Sequence, residues 1–258
     1  MAIGNTLLFN FKLKQTNFAL GLFYDFLTYT NRLCKNKFRN IQKLFAEVPY
    51  SCILPNGLKF HHRLCDRAVI YEIYKNRVYE IHPDFKIKKG FCVIDVGAHI
   101  GTFAINAAKL AGPSGKIIAL EPLKVNQELF LRNCKENNLE NVTLVKAAAN
   151  NFDGEIGFCA DEFCVGNICR ESESKVKCLR LDNLMANFDI NKVDILKIDV
   201  EGAELRVLEG ALNLLKVTDK IVLETDSELL KKITKFLLNY GFKNIYNYES
   251  VAYFKKTV

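Results

Sequence analysis

Two stretches of this chain place acids, glycines and a lysine at spacings that suit chemistry. The first is Val93-Ile94-Asp95-Val96-Gly97-Ala98-His99-Ile100-Gly101. It reads as a strand ending in an acid, a tight glycine turn, and a helix that starts at the second glycine. Gly97 and Gly101 are expected to let the backbone approach a ligand where a Cβ would intrude, at the sheet edge where open α/β folds bind ligands. A dinucleotide site wants G-x-G-x-x-G, so that pyrophosphate sits on the helix N-terminus. Counting from Gly97, His99 and Thr102 break that pattern. Asp95 also suits a cationic or zwitterionic ligand better than a pyrophosphate, such as the amino-acid part and sulfonium of S-adenosylmethionine. Glu121, twenty residues past Gly101, ends the next strand, where a carboxylate accepts both hydroxyls of a ribose. Pro122 then turns the chain away.

The second stretch is Ile195-Leu196-Lys197-Ile198-Asp199-Val200-Glu201-Gly202-Ala203-Glu204. Strand alternation puts Lys197 and Asp199 on one face. A lysine in a central strand is costly unless paired, so Asp199 or Glu224, which ends the neighbouring strand, is the expected partner. One reading is a structural ion pair. The other sets Asp199 and Glu201 over a reacting carbon.

These residues need elements to position them. From Phe91 onward, short apolar runs alternate with helical segments: strands at 91–96, 116–121, 142–147, 193–200 and 221–225, with helices at 101–110, 125–137, 204–215 and a last one capped by Ser227 and ended by Gly241. The 204–215 helix sets Leu205, Leu208, Leu212 and Leu215 on one stripe. The tail fits two strands, 242–248 and 251–255, joined at Glu249-Ser250. This predicts an α/β fold of the Rossmann-like kind, a seven-stranded mostly parallel sheet flanked by helices. The alternation pauses over 150–192, where Glu155–Ala160 and Lys175–Leu179 are expected to pair as an inserted hairpin, followed by a short helix over 181–188. Residues 1–80 read as an N-terminal extension packed on the core domain of 81–258. It holds a helical stretch over 17–45, a hairpin around Pro55-Asn56-Gly57 and a helix over 66–78.

Together the motifs resemble the FkbM-like methyltransferases, a branch of the Rossmann-like S-adenosylmethionine-dependent enzymes. The matching residues are Asp95 to Gly101, Glu121-Pro122 with Asn133, Ile195 to Glu204, Glu224 and Tyr240-Gly241-Phe242. The resemblance implies S-adenosylmethionine as cofactor, held by Asp95, Gly97, Ala98, His99, Gly101, Glu121, Pro122 and Asp199. It implies a hydroxyl on a sugar, glycan or other small metabolite as methyl acceptor. His99 stands where the family usually has Asn, and its ring is a candidate contact to cofactor or substrate. Asp199 is the first choice of base for the hydroxyl proton, then Glu201, then His99. Lys197 would steady a developing alkoxide or neutralise the acids. A divalent cation on Asp199, Glu201 and Glu224 is the alternative way to acidify the hydroxyl.

Composition bounds these readings. With 258 residues, 49% hydrophobic and 25% charged, the chain can bury a sizeable core, which excludes a disordered or collagenous protein. The formal charge of +7, with Lys35, Lys37, Arg39 and Lys43 after an early helix, keeps an RNA or protein methyltransferase open as a second reading. A catalytically silent binding protein is the third. Nine cysteines without a C-x2-C pair and only four histidines argue against a zinc site and for a reducing, cytoplasmic compartment. Cys159, Cys164 and Cys169, five residues apart, are flagged as a metal or redox candidate. No apolar run reaches the ~20 residues a membrane-spanning helix needs, and no signal peptide is read. A homo-oligomer is left open.

Overall fold

The computed structural model describes residues 14–15, 23–26, 45–160, 166–168, 172 and 174–257. The early helix expected over 17–45 falls mostly outside them; 23–26 and 45–46 are helical. Cys34, Cys164 and Cys169 also lie outside. Six described cysteines, among them Cys159, are free thiols.

The extension begins with strands β1 (Lys14–Gln15), β2 (Pro49–Ile53) and β3 (Lys59–Arg63) in a three-stranded antiparallel sheet. The β2–β3 hairpin turns at Pro55-Asn56-Gly57, as the turn residues predict, and Gly57 takes φ +83°. Helix α1 (Arg67–Tyr71) runs into one wide π-type turn, Glu72–Asn76. Such turns recur at functional sites.

The central sheet has seven strands. Five are parallel: β4 (Cys92–Val96), β5 (Lys116–Leu120), β6 (Val142–Val145), β11 (Ile195–Ile198) and β12 (Lys220–Glu224). The last two, β13 (Phe242–Tyr248) and β14 (Val251–Lys256), form the terminal hairpin, and β14 lies antiparallel to β12. The order across the sheet is β13-β14-β12-β11-β4-β5-β6. Strands β4, β5 and β11 are almost wholly buried, as expected of runs covered on both faces. The direction of winding reverses between β4 and β11, and the crevice at such a switch point is where open α/β sheets take ligands.

Helices α2 (Thr102–Ala111) and α3 (Lys124–Glu136) connect the first strands. From residue 148 to 179, β7 (Ala148–Ala149), β8 (Gly154–Ala160), β9 (Gly166–Ile168) and β10 (Lys175–Leu179) make a second sheet. The predicted pairing of β8 with β10 is present, antiparallel. Helix α4 (Asp182–Phe188) leads back to β11, then come α5 (Glu204–Glu209) and α6 (Ser227–Leu238).

Four local expectations are corrected. The 142–147 strand ends at Val145, and the chain beyond it, at Ala148 and Ala149, pairs with β10 instead. The 193–200 strand shortens to β11; Val193 makes an isolated bridge to Thr218. The 204–215 helix stops at Glu209 and is capped by Gly210, which lies so close to Asn150 that a Cβ would sit 2.1 Å from its carbonyl oxygen. A short 3-10 turn, Leu214–Val217, carries Leu215, while Leu212 is left exposed. Finally, the cap of α6 is Asp226, whose carboxylate accepts from the amides of Glu228 and Leu229, with Ser227 already inside the helix.

The extension reaches the core through Asn133 of α3 and Asn137, which caps that helix. Asn133 accepts from the His61 amide at 2.7 Å and donates to the His61 carbonyl at 3.0 Å. Asn137, one helical turn on, does the same for Lys59 at 2.9 and 2.7 Å. Two side-chain amides thus act as the missing neighbour of the β3 edge. Apolar contact follows the same path, with Ile105 of α2 packed among Cys52, Leu54, Leu58, Phe60 and Ile70.

Candidate active site

The glycine turn folds back over β5, with the amides of Gly97 and Ala98 both donating to the Leu120 carbonyl at 3.1 and 2.9 Å. Its glycines also allow close packing. A Cβ on Gly97, at φ +79°, would lie 1.8 Å from the Asp199 carbonyl oxygen; one on Gly101, at φ +89°, would lie 2.8 Å from the Phe130 ring. The bare backbone lets the turn pack against the end of β11 and against α3, and so brings Asp199 beside the turn. His99 holds φ +53° without being glycine. Its amide donates to Glu121 Oε2 at 2.9 Å.

Glu121 is 5% exposed and lies on the wall of the cavity described below. Its other oxygen accepts from the Leu123 amide at 2.9 Å and from Asn126 Nδ2 at 3.2 Å. Gln127 holds the chain on either side of Pro122 by donating to the carbonyls of Glu121 and Pro122. The carboxylate is therefore fixed in direction before any ligand arrives, which is what a preorganised acceptor needs.

Asp95 is not on that wall. It is fully buried beneath the turn, and Lys197 Nζ sits 2.9 Å from its carboxylate. The same ammonium donates to the Gly97 carbonyl at 2.9 Å and lies 3.6 Å from Asp199. The expected pairing of Lys197 with Asp199 is present at 3.6 Å, but Asp95, which was not expected, is the nearer partner, because β4 and β11 set residues 95 and 197 directly side by side. The positive charge that Asp95 was expected to find in a ligand is supplied by this lysine. Burial raises the Asp95 pKa. Burial also works against the Lys197 ammonium, but Asp95 and Asp199 hold its pKa above the usual value.

A cavity of about 310 Å³ opens along the C-terminal edge of β4, β5 and β11. One end is apolar, formed by Leu120, Pro122, Ala147, Ala149 and Phe158. Glu121 and the Gly97–His99 turn form the middle. The other end carries Glu72, Tyr79, Lys197, Asp199, Glu201 and Glu224. There the Tyr79 hydroxyl donates to Asp199 Oδ2 at 2.9 Å and lies 3.3 Å from Glu224 Oε2. Burial, with Asp199 and Glu224 alongside, raises the Tyr79 pKa well above its usual value, so it stays a hydrogen-bond donor. Glu201 reaches the wall through a left-handed φ of +53°. Among the described residues no three acid, histidine or cysteine side chains converge as a metal-holding set.

The ring of His99 turns toward the extension. Its Nε2 lies 3.3 Å from Arg63 Nη2 and 3.4 Å from Asp66 Oδ1. Arg63 grips Asp66 through two nitrogens at 3.0 and 2.8 Å and donates to Asn126 Oδ1 at 2.7 Å. Burial opposes the Asp66 charge, but His99 and Arg63 hold its pKa below the usual range. The chain of contacts runs Asp66–Arg63–Asn126–Glu121, tying the extension to the middle of the cavity. Arg63, Asp66, Glu72, Tyr79 and Asn126 are site residues that sequence reasoning passed over. Only Glu72 left a local trace, at helical spacing from the apolar Val69 and next to Ile73, all three on the cavity wall.

The order of the sheet, the acid-ended β5 and the cavity at the switch point define a Rossmann-like protein built to hold a nucleoside-bearing ligand. The chain belongs to the FkbM methyltransferase family: residues 95–243 match the methyltransferase FkbM domain. It is 26% identical over 149 residues to the hexuronic acid methyltransferase AglP of Haloferax volcanii, covering 55% of this chain and 59% of that protein. It is 24% identical over 164 residues to Methyltransferase 1 of Beauveria bassiana, covering 54% and 64%. The chain thus matches about three fifths of the length of these relatives. Among solved structures, a SAM-dependent O-methyltransferase from Thermotoga maritima aligns over 81% of this chain and 77% of its own, at 16% identity and a TM-score of 0.48.

Proposed function

We propose that this protein transfers a methyl group from S-adenosylmethionine to a hydroxyl of a sugar, a glycan or another small metabolite. The observation that carries the reading is the single cavity joining Glu121, the glycine turn and Asp199. A prearranged carboxylate in its middle and an apolar end beyond β6 fit a nucleoside, and the acidic end fits an acceptor rich in hydroxyl donors. Membership of the family supports the same choice of cofactor.

In this reading Glu121 would accept the ribose hydroxyls, Pro122, Ala147, Ala149 and Phe158 would surround the base, and the Gly97–His99 backbone would face the amino-acid portion. When bound, the sulfonium supplies an electrophilic methyl group. The protein's share is then alignment, since in-line attack depends on proximity and orientation. Asp199, held by Tyr79 and Lys197, would receive the acceptor's hydroxyl as a hydrogen-bond donor and point its oxygen at the methyl carbon. Lys197 would keep the acidic end from repelling its own members. His99, tied to Asp66 and Arg63, would serve by its backbone amide on Glu121 and not as the base.

An RNA acceptor fits this geometry less well. Four carboxylates against one lysine at the acceptor end repel phosphate. The test is transfer of labelled methyl from S-adenosylmethionine to neutral methyl hexopyranosides and, in parallel, to short RNA. Label in the sugars supports the proposal; label in RNA alone overturns the acceptor class.

No described helix is long and apolar enough to cross a membrane.

A further inference from the structure

The acceptor end needs a group to take the hydroxyl's proton, and its hydrogen bonds single out one residue. Asp199 accepts from Tyr79 and faces the Lys197 ammonium. Both contacts fall on Oδ2, which is therefore already engaged. Glu224 is engaged by Ser250 at 2.8 Å and by Tyr79. The Glu72 carboxylate lines the same end and, among the described residues, has neither hydrogen-bond nor ion-pair partner.

Resting on the methyltransferase reading, we propose that Glu72, contributed by the N-terminal extension, is the proton acceptor of the reaction. It stands on the wide turn after α1, outside the matched family domain of 95–243. That turn aims Glu72 and Ile73 into the cavity together. The groups facing it are Asp199 at the end of β11, Glu224 at the end of β12 and Glu249 in the β13–β14 turn, all acidic. Lys197 lies deeper, committed to Asp95. Desolvation at the cavity wall, and after it the like charges of Glu224, Asp199 and Glu249, pushes the Glu72 pKa up to about 7, where a general base works best at neutral pH. The residue is also exposed at the cavity mouth, which opens a way for the proton to leave. In the step itself the acceptor's O–H bond breaks toward Glu72 while the new O–C bond forms. The C–S bond breaks with its electron pair going to sulfur, leaving a neutral thioether. Glu72 is left as the neutral acid and releases its proton to water.

The test is carbon-13 carboxyl NMR on glutamate-labelled protein saturated with S-adenosylhomocysteine, beside calorimetric titration of the same ligand. One resonance is expected to titrate near pH 7, to vanish in Glu72→Gln, and to leave the ligand's Kd in that variant within twofold of wild type. A Glu72 resonance titrating near the ordinary glutamate value of about 4.3 overturns the assignment, as does a variant that keeps full kcat for methyl transfer at pH 7. A well-folded wild type that does not bind the ligand overturns the methyltransferase reading instead.

Discussion

The Tyr79 hydroxyl lies between two carboxylates, donating to Asp199 at 2.9 Å with Glu224 at 3.3 Å. It joins the extension to the ends of β11 and β12 at the point where the acceptor would sit. Tyr79→Phe keeps the buried ring, which packs edge-on to Phe103, and removes only the donor. The expected result is a fall of about tenfold in kcat, worth ~1.4 kcal/mol, with the KM for S-adenosylmethionine unchanged. An unchanged kcat in steady-state assays would deny the hydroxyl any part in aligning Asp199.

Lys197 is held to a different account. Its ammonium and the Asp95 carboxylate are both out of water, so Lys197→Met leaves a buried, unpaired acid. Breaking such a pair costs roughly 3–5 kcal/mol, and urea unfolding of the variant is expected to show a loss of that size. The double variant Lys197→Met with Asp95→Leu is expected to regain part of it, since an apolar pair avoids the stranded charge. No recovery would mean that the lysine's bond to the Gly97 carbonyl matters more than its pairing with Asp95.

Acid should weaken the extension through His62. Burial pushes its pKa down to about 4, against the pull of its bond to the Arg63 carbonyl and of Asp66. The unfolded chain binds this proton near pH 6.5 and the folded chain does not until about 4. Stability is therefore whole above 6.5 and falls as the pH drops toward 4, by roughly 3 kcal/mol in all. Urea midpoints measured between pH 7 and 4.5 should fall less steeply in His62→Leu than in wild type. Equal slopes would remove His62 as the cause.

Much of this architecture was legible because it is local. The apolar runs at β4, β5, β11 and β12 and the Pro55-Asn56-Gly57 turn announce themselves in neighbouring residues. So do the acid that ends β5 and the glycine turn after β4. What failed to show depends on contacts between distant segments. Lys197 meets Asp95 only because β11 lies beside β4. A Cβ on Gly97 has no room beside the Asp199 carbonyl, a contact that lies about a hundred residues away in sequence. Gly210, the cap of α5, has no room for a Cβ because Asn150 passes against it. Arg63, Asp66 and Tyr79 carry no motif at all, and become site residues only when Asn133 and Asn137 dock the edge of β3 on α3.

The central claim is that Glu121 and the turn beside it hold S-adenosylmethionine. The most direct test is calorimetric titration of wild type and Glu121→Ala with S-adenosylmethionine and S-adenosylhomocysteine, with circular dichroism to show that both are folded. Asp95→Ala is a poor companion, since removing that acid strands Lys197 in the core. The account predicts micromolar binding by wild type and at least tenfold weaker binding by the variant, about 1.4 kcal/mol. Folded wild type that binds neither ligand, or a variant that binds as tightly as wild type, would contradict it.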